Sequence, residues 1–186
     1  MRHFLILFED LPIDKNAVKA GINSQEVVTA CRCINVGLFM SRSLRRDVII
    51  SIAVGPYDDL KIISFPGETL RRVSPDERSI SFFLLKSLMI SEKLVISMSE
   101  TMDNGIIVHR TDFDDFLRFN PSKRIILADP DEQEMNQSDI VSPDSILIYD
   151  TRNEGIQRGV FEYRISRPKD PERFILDVNM SVDRSQ

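Results

Sequence analysis

The sequence predicts an α/β fold in which a mostly parallel sheet carries helices on both faces. Short apolar runs of strand type alternate along the chain with segments whose apolar residues recur at helical spacing. Residues 47–54 are β-branched and apolar at nearly every position, which is typical of a strand buried on both faces. Strands that alternate with helices favour parallel pairing, because each helical crossover returns the chain to the same edge of the sheet.

The first half of the chain contains three predicted strands and one long helix. Residues 2–8 predict a buried strand, and residues 47–54 predict a central strand that ends at Gly55-Pro56. Residues 60–65 predict a further strand, which Pro66-Gly67 terminates. Residues 24–43 predict a helix, because four apolar side chains fall on one helical face: Val27, Cys31, Ile34 and Leu38.

The clearest local signal for a helix start lies at residues 74–77. Ser74 is the predicted N-cap, Pro75 the first helical residue and Glu77 the third, and the helix continues through Leu88. Beyond it, residues 112–119 and 171–183 predict helices, and the acidic stretch 129–144 predicts a surface loop. Four apolar runs predict the remaining strands: residues 105–109, 123–128, 145–149 and 161–166.

Composition predicts one globular domain over residues 1–186. Hydrophobic residues make up 42% of the chain and charged residues 28%, enough for a substantial core under a mixed-charge surface. The net charge of −5 and the pI near 5.1 argue against a general electrostatic grip on nucleic acid, although a local basic patch is compatible with them. No apolar run reaches the roughly 20 residues that span a bilayer. We therefore expect a cytoplasmic protein without membrane contact.

The cysteines and histidines do not suggest a metal site. Cys31 and Cys33 would point about 200° apart around a helix, so they cannot share a metal or form a disulfide with each other. The other candidate ligands are only two histidines, His3 and His109. We expect two buried thiols and no metal.

General nucleotide-binding signatures are absent from the sequence. There is no glycine-rich phosphate loop after a strand, no GKS or GKT, and no GxSxG. In parallel sheets, ligands usually bind beyond the carboxyl ends of the strands. The loops that follow Leu127, Tyr149 and Ser166 are therefore the candidate ligand-binding loops.

A first polar constellation combines residues 31–35 (CRCIN) with Arg45-Arg46-Asp47. In one interpretation, Arg42, Arg45 and Arg46 complement the negative end of a helix and Asp47 is their surface partner. In the other, the arginines bind phosphate and the aspartate orients the polar edge of a base. The residues alone leave both interpretations open.

A second constellation is formed by residues 74–79 (SPDERS). The capping interpretation accounts for Ser74, Pro75 and Glu77, but it does not require Arg78. Arg71 and Arg72 lie just upstream, so Arg78 together with them is a candidate for a second phosphate-binding spot.

These two constellations, in this order, resemble those of the tRNA pseudouridine-54 N1-methyltransferase family of the SPOUT superfamily. That family opens with an M-R-x-F strand, followed by a C-R-C-hydrophobic-N helix, L-F-x-S and R-R-D. G-x-x-L, S-P-D-E-R and a G-I-x-V-x-R strand come later. The matching positions cover about the first two thirds of the chain: residues 1–4, 31–35, 38–41, 45–47, 67–70, 74–78 and 105–110.

The resemblance implies a SPOUT-type fold with a C-terminal trefoil knot, a homodimer, and S-adenosyl-L-methionine bound in the knot. It implies methyl transfer to N1 of pseudouridine 54, with tRNA as the partner. In such a family Asp47 and Arg46 would be catalytic, and Arg45, Arg46 and Arg78 would contact the substrate RNA. The positions on the cofactor side would be Leu127, Tyr149, Asp150 and Ser166.

The last third of the chain departs from the family pattern. Tyr149 stands where the family has a glycine before the aspartate, and residues 167–170 (RPKD) replace a Ser-Leu-Ser-Pro loop. A glycine at such a position permits close backbone approach. An alternative is therefore a SPOUT-fold dimer that binds RNA with impaired methyl transfer. A third interpretation, a protein-interaction module, rests on the acidic pI and the acidic residues 131–134.

Overall fold

The computed structural model describes residues 1–41, 43–120, 123–132, 144–152, 156 and 161–184. Within these ranges the strands are β1 (Arg2–Phe8), β2 (Phe39–Met40), β3 (Ser43–Leu44), β4 (Val48–Val54), β5 (Leu60–Pro66), β6 (Met98–Thr101), β7 (Ile107–Thr111), β8 (Arg124–Asp129), β9 (Ser145–Asp150) and β10 (Tyr163–Ser166). The helices are α1 (Lys15–Ala20), α2 (Gln25–Leu38), α3 (Glu77–Ser91), α4 (Phe113–Arg118) and α5 (Pro171–Arg184).

Eight of the strands form one mixed sheet in the order β10-β8-β9-β1-β4-β5-β7-β6. The pairs from β10 to β4 are parallel, and those from β4 to β6 are antiparallel. The predicted mostly parallel α/β sheet is therefore confirmed. Strands β2 and β3 form a separate two-residue antiparallel pair.

Helices cover both faces of the sheet, because side chains along a strand alternate between the faces. Phe4 and Ile6 of β1 pack in the larger core, which is closed by α2, α3 and α5. Leu5 and Leu7 point into the smaller core, where Phe113 and other residues of α4 cover them. Central strand β1 is buried along its whole length, which explains why it lacks polar alternation.

The parallel strands define two edges that lie far apart. Phe8 pairs with Val54 and Leu7 pairs with Asp150, so the strands end together at what we call the carboxyl edge. Arg2 pairs with Val48 at the opposite end, called the amino edge. Pro66 also lies at the amino edge, because β5 runs antiparallel to β4.

The prediction of a helix over residues 24–43 was too long. Helix α2 ends at Leu38, and Phe39 adopts an extended conformation that starts β2. The turn into β3 brings the Arg45 N–H to the Leu38 carbonyl oxygen, at 2.8 Å. A helical end would leave that carbonyl without an intrahelical partner, and the turn satisfies it.

The predicted N-cap of α3 was displaced by two residues. Asp76, rather than Ser74, has extended dihedral angles and accepts a hydrogen bond from the Ser79 N–H at 2.8 Å. Ser74 lies before the helix and donates its own N–H to Ser79 Oγ at 3.0 Å. Pro75 is therefore outside the first turn, and the aspartate fulfils the capping role that the serine was expected to have.

Candidate functional site

Arg2 is the partner of Asp47 at the amino edge. Its Nη2 donates to Asp47 Oδ2 at 2.6 Å, and its backbone N–H donates to the Asp47 carbonyl oxygen at 2.9 Å. The Arg2 side chain is only 2% exposed, whereas that of Asp47 is 57% exposed. Asp47 is therefore held in place by the buried Arg2 side chain, and the rest of its carboxylate remains exposed to solvent. The interpretation of Asp47 as the surface partner of Arg45 and Arg46 was wrong, and Arg42 lies outside the described residues.

Arg45 and Arg46 are each held by contacts elsewhere in the fold. Arg45 Nη1 donates to both carboxylate oxygens of Asp183, near the end of α5, at 2.8 and 2.7 Å. Arg46 Nη1 donates to the carbonyl oxygens of Gly67 and Glu68, at 3.0 Å each. Both side chains therefore tie the segment before β4 to its neighbours, and Arg46 remains exposed.

Helix α2 and the residue before its N-cap contact the start of α3, which carries Arg78. Asn35 Nδ2 donates to the Pro75 carbonyl oxygen at 2.5 Å, and Asn23 Nδ2 donates to Glu77 Oε1 at 2.8 Å. The Cys31 thiol lies 3.8 Å from the Glu77 carbonyl oxygen. The CRCIN and SPDER segments, predicted as separate constellations, are therefore one connected unit.

Cys31 and Cys33 are buried free thiols, as expected. Burial raises the pKa of Cys31 to about 12, with a further contribution from the negative charge of Glu77. Burial also raises the pKa of Cys33. Thiols in this state are poor nucleophiles, so these cysteines serve the packing of α2.

Three arginines near the amino edge have free side chains. Arg71, Arg72 and Arg78 are exposed, and none has a side-chain hydrogen bond or salt bridge to the part of the chain that the structure describes. They differ in this from Arg45 and Arg46. The second predicted basic spot is thus the one whose charges are available to a ligand.

The carboxyl edge contains the four candidate cofactor residues, but it divides them between the faces of the sheet. Leu127 is buried in the smaller core. Asp150 and Ser166 share its face, because their strand neighbours Tyr149 and Ile165 pack in the larger core. Tyr149 alone points toward α2 and α5.

Tyr149 anchors the loop that follows β10. The side chain is 1% exposed, and its hydroxyl lies 2.7 Å from the Pro168 carbonyl oxygen and 2.8 Å from that of Lys169. The ring contacts Phe174, and the Arg167 guanidinium lies 4.6 Å from its centroid. Burial raises the pKa of Tyr149, so its hydroxyl stays protonated and can donate.

Asp150 is the centre of a polar network that sequence reasoning missed. It accepts hydrogen bonds from Arg152 Nε at 2.9 Å, from the Tyr57 hydroxyl at 3.0 Å and from the Ile156 N–H at 3.1 Å. The Arg152 guanidinium also lies 3.9 Å from the Tyr57 ring centroid. Burial and the negative charge of Asp150 raise the pKa of Tyr57 to about 12. The only sequence signal was the position of Arg152, two residues after the aspartate.

An open cleft of about 300 Å³ lies beside Tyr149 at the carboxyl edge. Its lining includes both charge signs and an aromatic surface: Phe8, Glu26, Tyr149, Thr151, Arg167 and Lys169. Thr151 is held there by its hydroxyl, which donates to the Leu7 carbonyl oxygen at 2.7 Å. A cleft of this size and polarity is suited to a small organic ligand.

The candidate catalytic residues lie far from this cleft within one chain. Arg2 pairs with Val48 at the amino edge and Phe8, which lines the cleft, pairs with Val54 at the carboxyl edge, so the two edges are six strand positions apart. At about 3.3 Å per residue this amounts to roughly 20 Å. Asp47 and Tyr149 of the same chain therefore cannot contact one small ligand.

The described residues contain neither a candidate metal-binding cluster nor a helix able to span a membrane. No group of three or more His, Cys, Asp or Glu side chains among them is arranged to hold a metal ion. None of the helices described has the length and apolar character required to cross a membrane.

Comparison with known proteins identifies the family. The family described as "Putative SAM-dependent RNA methyltransferase" matches residues 1–150 of the 186-residue chain. The chain belongs to this family. The motifs indicated a resemblance to a family of RNA methyltransferases, and this match confirms it.

Several relatives are named tRNA (pseudouridine(54)-N(1))-methyltransferase. The one from Natronomonas pharaonis is 35% identical over 112 residues, which cover 58% of this chain and 54% of that protein. The one from Methanococcus maripaludis strain C5 is 40% identical over 98 residues, which cover 51% and 48%. The one from Methanocaldococcus jannaschii is 30% identical over 123 residues, which cover 63% and 60%. The chain spans about half the length of the curated relatives it matches.

The chain shares its fold with a protein of known structure. The crystal structure of Archaeoglobus fulgidus Nep1 bound to S-adenosylhomocysteine aligns with a TM-score of 0.61, covering 98% of this chain and 97% of that one. The sequence identity is 12%, so this likeness is one of fold.

Proposed function

We propose that the protein is an S-adenosyl-L-methionine-dependent methyltransferase that methylates N1 of pseudouridine 54 in tRNA. Membership of the RNA methyltransferase family is the observation that carries this proposal. The relatives with 30–40% identity all have this name, which supports the same target position. The motifs of this chain that resemble the family contain the free arginine Arg78 and the exposed Asp47.

The cleft beside Tyr149 is the proposed cofactor site. Arg167 and Lys169 suit the carboxylate of an amino acid moiety, and Glu26 suits an ammonium or ribose hydroxyl. The side chains of Leu127, Asp150 and Ser166 point to the other face, so these residues would contribute through their backbone groups at the same edge. Bound S-adenosyl-L-methionine supplies an electrophilic methyl group on a sulfonium.

Asp47 and Arg46 are the proposed catalytic residues. Because Arg2 engages Asp47 Oδ2, the orientation of the carboxylate is fixed and Oδ1 is left to accept a hydrogen bond from the N1–H of the target base. Arg45, Arg46 and Arg78 would hold the phosphates of the substrate RNA. The side chain of Arg46 would reach both base and phosphate while its Nη1 remains on the Gly67 and Glu68 carbonyls.

The enzyme would act as a homodimer. The roughly 20 Å between Asp47 and the cleft exceeds the reach of one methyl transfer within a single chain. A second copy that places its amino edge against the cleft would complete the site. Leu176 and Met180 on the outer side of α5 are 37% and 40% exposed, so they offer apolar surface for such a contact.

The remaining expectations belong to the same proposal. The C-terminal trefoil knot depends on the path of residues 133–143 and 153–160, which fall outside the described residues except for Ile156. A single-domain organisation and a location in the cytoplasm are expected for the enzyme. Residues 133 and 134 of the acidic stretch also lie outside the described residues.

The direct test is mass spectrometry of tRNA containing pseudouridine 54 after incubation with the protein and isotopically labelled cofactor. The expected result is a mass increase of one labelled methyl group at that nucleoside. Titration calorimetry should show binding of S-adenosyl-L-methionine, and no binding at millimolar cofactor would refute the enzymatic function.

Subunit mixing tests whether two copies form one site. The two variants to mix are Asp47→Ala, at the amino edge, and Lys169→Glu, at the carboxyl edge. Each should be inactive alone. In a mixed dimer, one shared site would combine the unaltered Asp47 of one chain with the unaltered Lys169 of the other. Activity should therefore return on mixing. Inactivity of a mixture shown to contain mixed dimers would refute a shared site.

A second candidate function is RNA binding without methyl transfer. The Tyr149 hydroxyl occupies the carbonyl oxygens of Pro168 and Lys169, which are backbone groups of the loop at the proposed cofactor site. If these groups are needed by the cofactor, methyl transfer would be impaired. Salt-sensitive tRNA binding without labelled product would support this candidate.

A further inference from the structure

A second cleft lies between α3 and the turn that joins β6 to β7. Its volume is about 340 Å³, and we call it the α3 cleft. Two of the free arginines, Arg71 and Arg78, lie close in the sequence to residues that line this cleft. Its lining includes Arg72, Phe83, Lys86, Glu100, Asp103 and Asn104.

Asn104 lines this cleft, and its side chain contains a buried donor without a partner among the described residues. The residue is 6% exposed and is held in place by two contacts: its Oδ1 accepts from the Ile106 N–H at 3.3 Å, and its backbone oxygen accepts from the Arg71 N–H at 2.9 Å. Its Nδ2 has no hydrogen-bond partner among the residues described. A buried donor left unpaired is costly, and such groups in folded proteins require an explanation. A ligand carrying an acceptor atom would supply the missing partner.

Two free cations stand at the same cleft. Arg72 has a positive φ of 57°, a region that residues other than glycine seldom adopt. Strained backbone of this kind is found preferentially at functional sites. The side chains of Arg72 and Lys86 are exposed, and within the described ranges neither has a salt-bridge partner. Both are therefore available to the phosphates of a nucleic acid.

The exposed carboxylates at the cleft favour a base over a phosphate. Glu100 and Asp103 would repel a phosphate but can accept hydrogen bonds from the amino or imino group of a base. The half-buried ring of Phe83 offers a surface for stacking. Every nucleobase carries donors and acceptors on one edge, so the carboxylates and Asn104 Nδ2 can be satisfied together.

We propose that the α3 cleft binds an unpaired nucleobase of the substrate RNA, with the flanking phosphates on Arg72 and Lys86. This inference rests on the proposed function, because it assumes that RNA is the substrate. The cleft would then hold a nucleotide other than the methylated one, since it contains neither Asp47 nor the cofactor residues. Its role would be to fix the register of the RNA on the enzyme.

Two variants test the cleft, and two control variants match the changes in backbone and charge made at Arg72. Asn104→Ala removes the unpaired donor, and Arg72→Gly removes the cation while relieving the positive φ. Ser97→Gly relaxes the other non-glycine residue with positive φ (69°) among the described residues, without loss of charge. Arg118→Ala removes an arginine that is 78% exposed on α4, which packs on the opposite face of the sheet.

Fluorescence anisotropy with a labelled tRNA transcript gives the affinities. We expect each cleft variant to bind about fivefold more weakly, as the loss of one hydrogen bond or phosphate contact predicts. Arg72→Gly should also reduce the slope of log K against log salt by about 1. Both controls should bind as the wild type does. Circular dichroism would confirm that all four variants fold.

Photocross-linking locates the base. A tRNA transcript carrying 4-thiouridine should cross-link to a peptide from residues 77–91 or 98–104, and Asn104→Ala should weaken the cross-link. Wild-type affinity in both cleft variants, with no cross-link to these peptides, overturns the inference. Weaker binding by Arg78→Ala in the same series would leave the proposed function intact. Absence of tRNA binding by the wild type would overturn both.

Discussion

Gly67 packs against the segment that carries Asp47, and Gly67→Ala should displace that segment. The residue is buried, and its N–H donates to the Val48 carbonyl oxygen at 2.9 Å. A Cβ atom at this position would lie 1.8 Å from the Arg45 carbonyl oxygen and 3.1 Å from that of Val48. Because both neighbours are backbone atoms, no side-chain rotation relieves the collision.

The size of the effect follows from that distance. A Cβ 1.8 Å from an oxygen must retreat to about 3 Å, so one of the two backbones has to move by about 1 Å. Overpacking of this kind costs about 2 kcal/mol, which for a chain of this length lowers Tm by roughly 4–8 °C. A displacement of about 1 Å at a catalytic group also reduces the rate about 100-fold. Asp47, two residues from the collision, would be displaced.

The assay compares Tm, methyl transfer and cofactor binding in the same preparations. Gly67→Ala should lose stability and rate, yet bind S-adenosyl-L-methionine normally, because the cleft lies roughly 20 Å away. Gly21→Ala is the control: no atom lies within 4 Å of the added Cβ, and only the strain of φ 69° remains. It should lose about 1 kcal/mol of stability and no activity. Wild-type Tm and rate in Gly67→Ala would refute the link between this glycine and Asp47.

Three further predictions concern the core and the surface. Cys31 and Cys33 should not react with a thiol reagent at pH 8 in the native protein, and both should react after denaturation, because burial raises their pKa values. Arg110→Lys should lower the midpoint of urea denaturation, since Arg110 binds both oxygens of Asp59 at 2.7 Å and lysine cannot form that paired contact. Burial lowers the pKa of His3 to about 3, so between pH 3 and 6.5 the unfolded chain binds the extra proton and stability falls as pH falls. About 2 kcal/mol should be lost between pH 7 and 5, and His3→Gln should remove this part of the loss.

The buried strands could be predicted from the sequence because their apolar runs directly reflect burial on two faces. Strands β1, β4 and β9 begin and end within one residue of the predicted bounds. Strand β6 was missed because all four of its residues are exposed, so it exists only through its pairing with β7. A polar edge strand of this kind carries no periodic signal.

Helix α1 was missed although its sequence carries local signals. Asp14 caps its first turn by accepting from the Asn16 and Ala17 N–H groups, and Gly21 closes it with a φ of 69°. An aspartate before and a glycine after a six-residue segment is the expected pattern of a short helix. The only buried residue in α1 is Val18, so apolar periodicity was too weak to reveal it.

The position of the candidate site in the sheet follows from strand direction, but its contacts do not. Asp47 precedes a parallel strand and Tyr149 lies near the end of another, so their separation is inherent in the predicted topology. The pairing of Arg2 with Asp47 joins residues 45 positions apart. No local pattern specifies it, because it depends on the register between β1 and β4.

The contacts of the arginines change how the family motif should be tested. Arg45 ties the segment before β4 to Asp183 of α5, and Arg46 ties it to the loop at Gly67. Alanine at either position would leave that segment loose, so a loss of RNA binding there would not distinguish contact from misplacement. Arg78 has no such structural partner in the described chain, so its removal changes charge alone. The free arginines are therefore the informative positions for RNA contact, and those of the R-R-D motif are informative for how Asp47 is held.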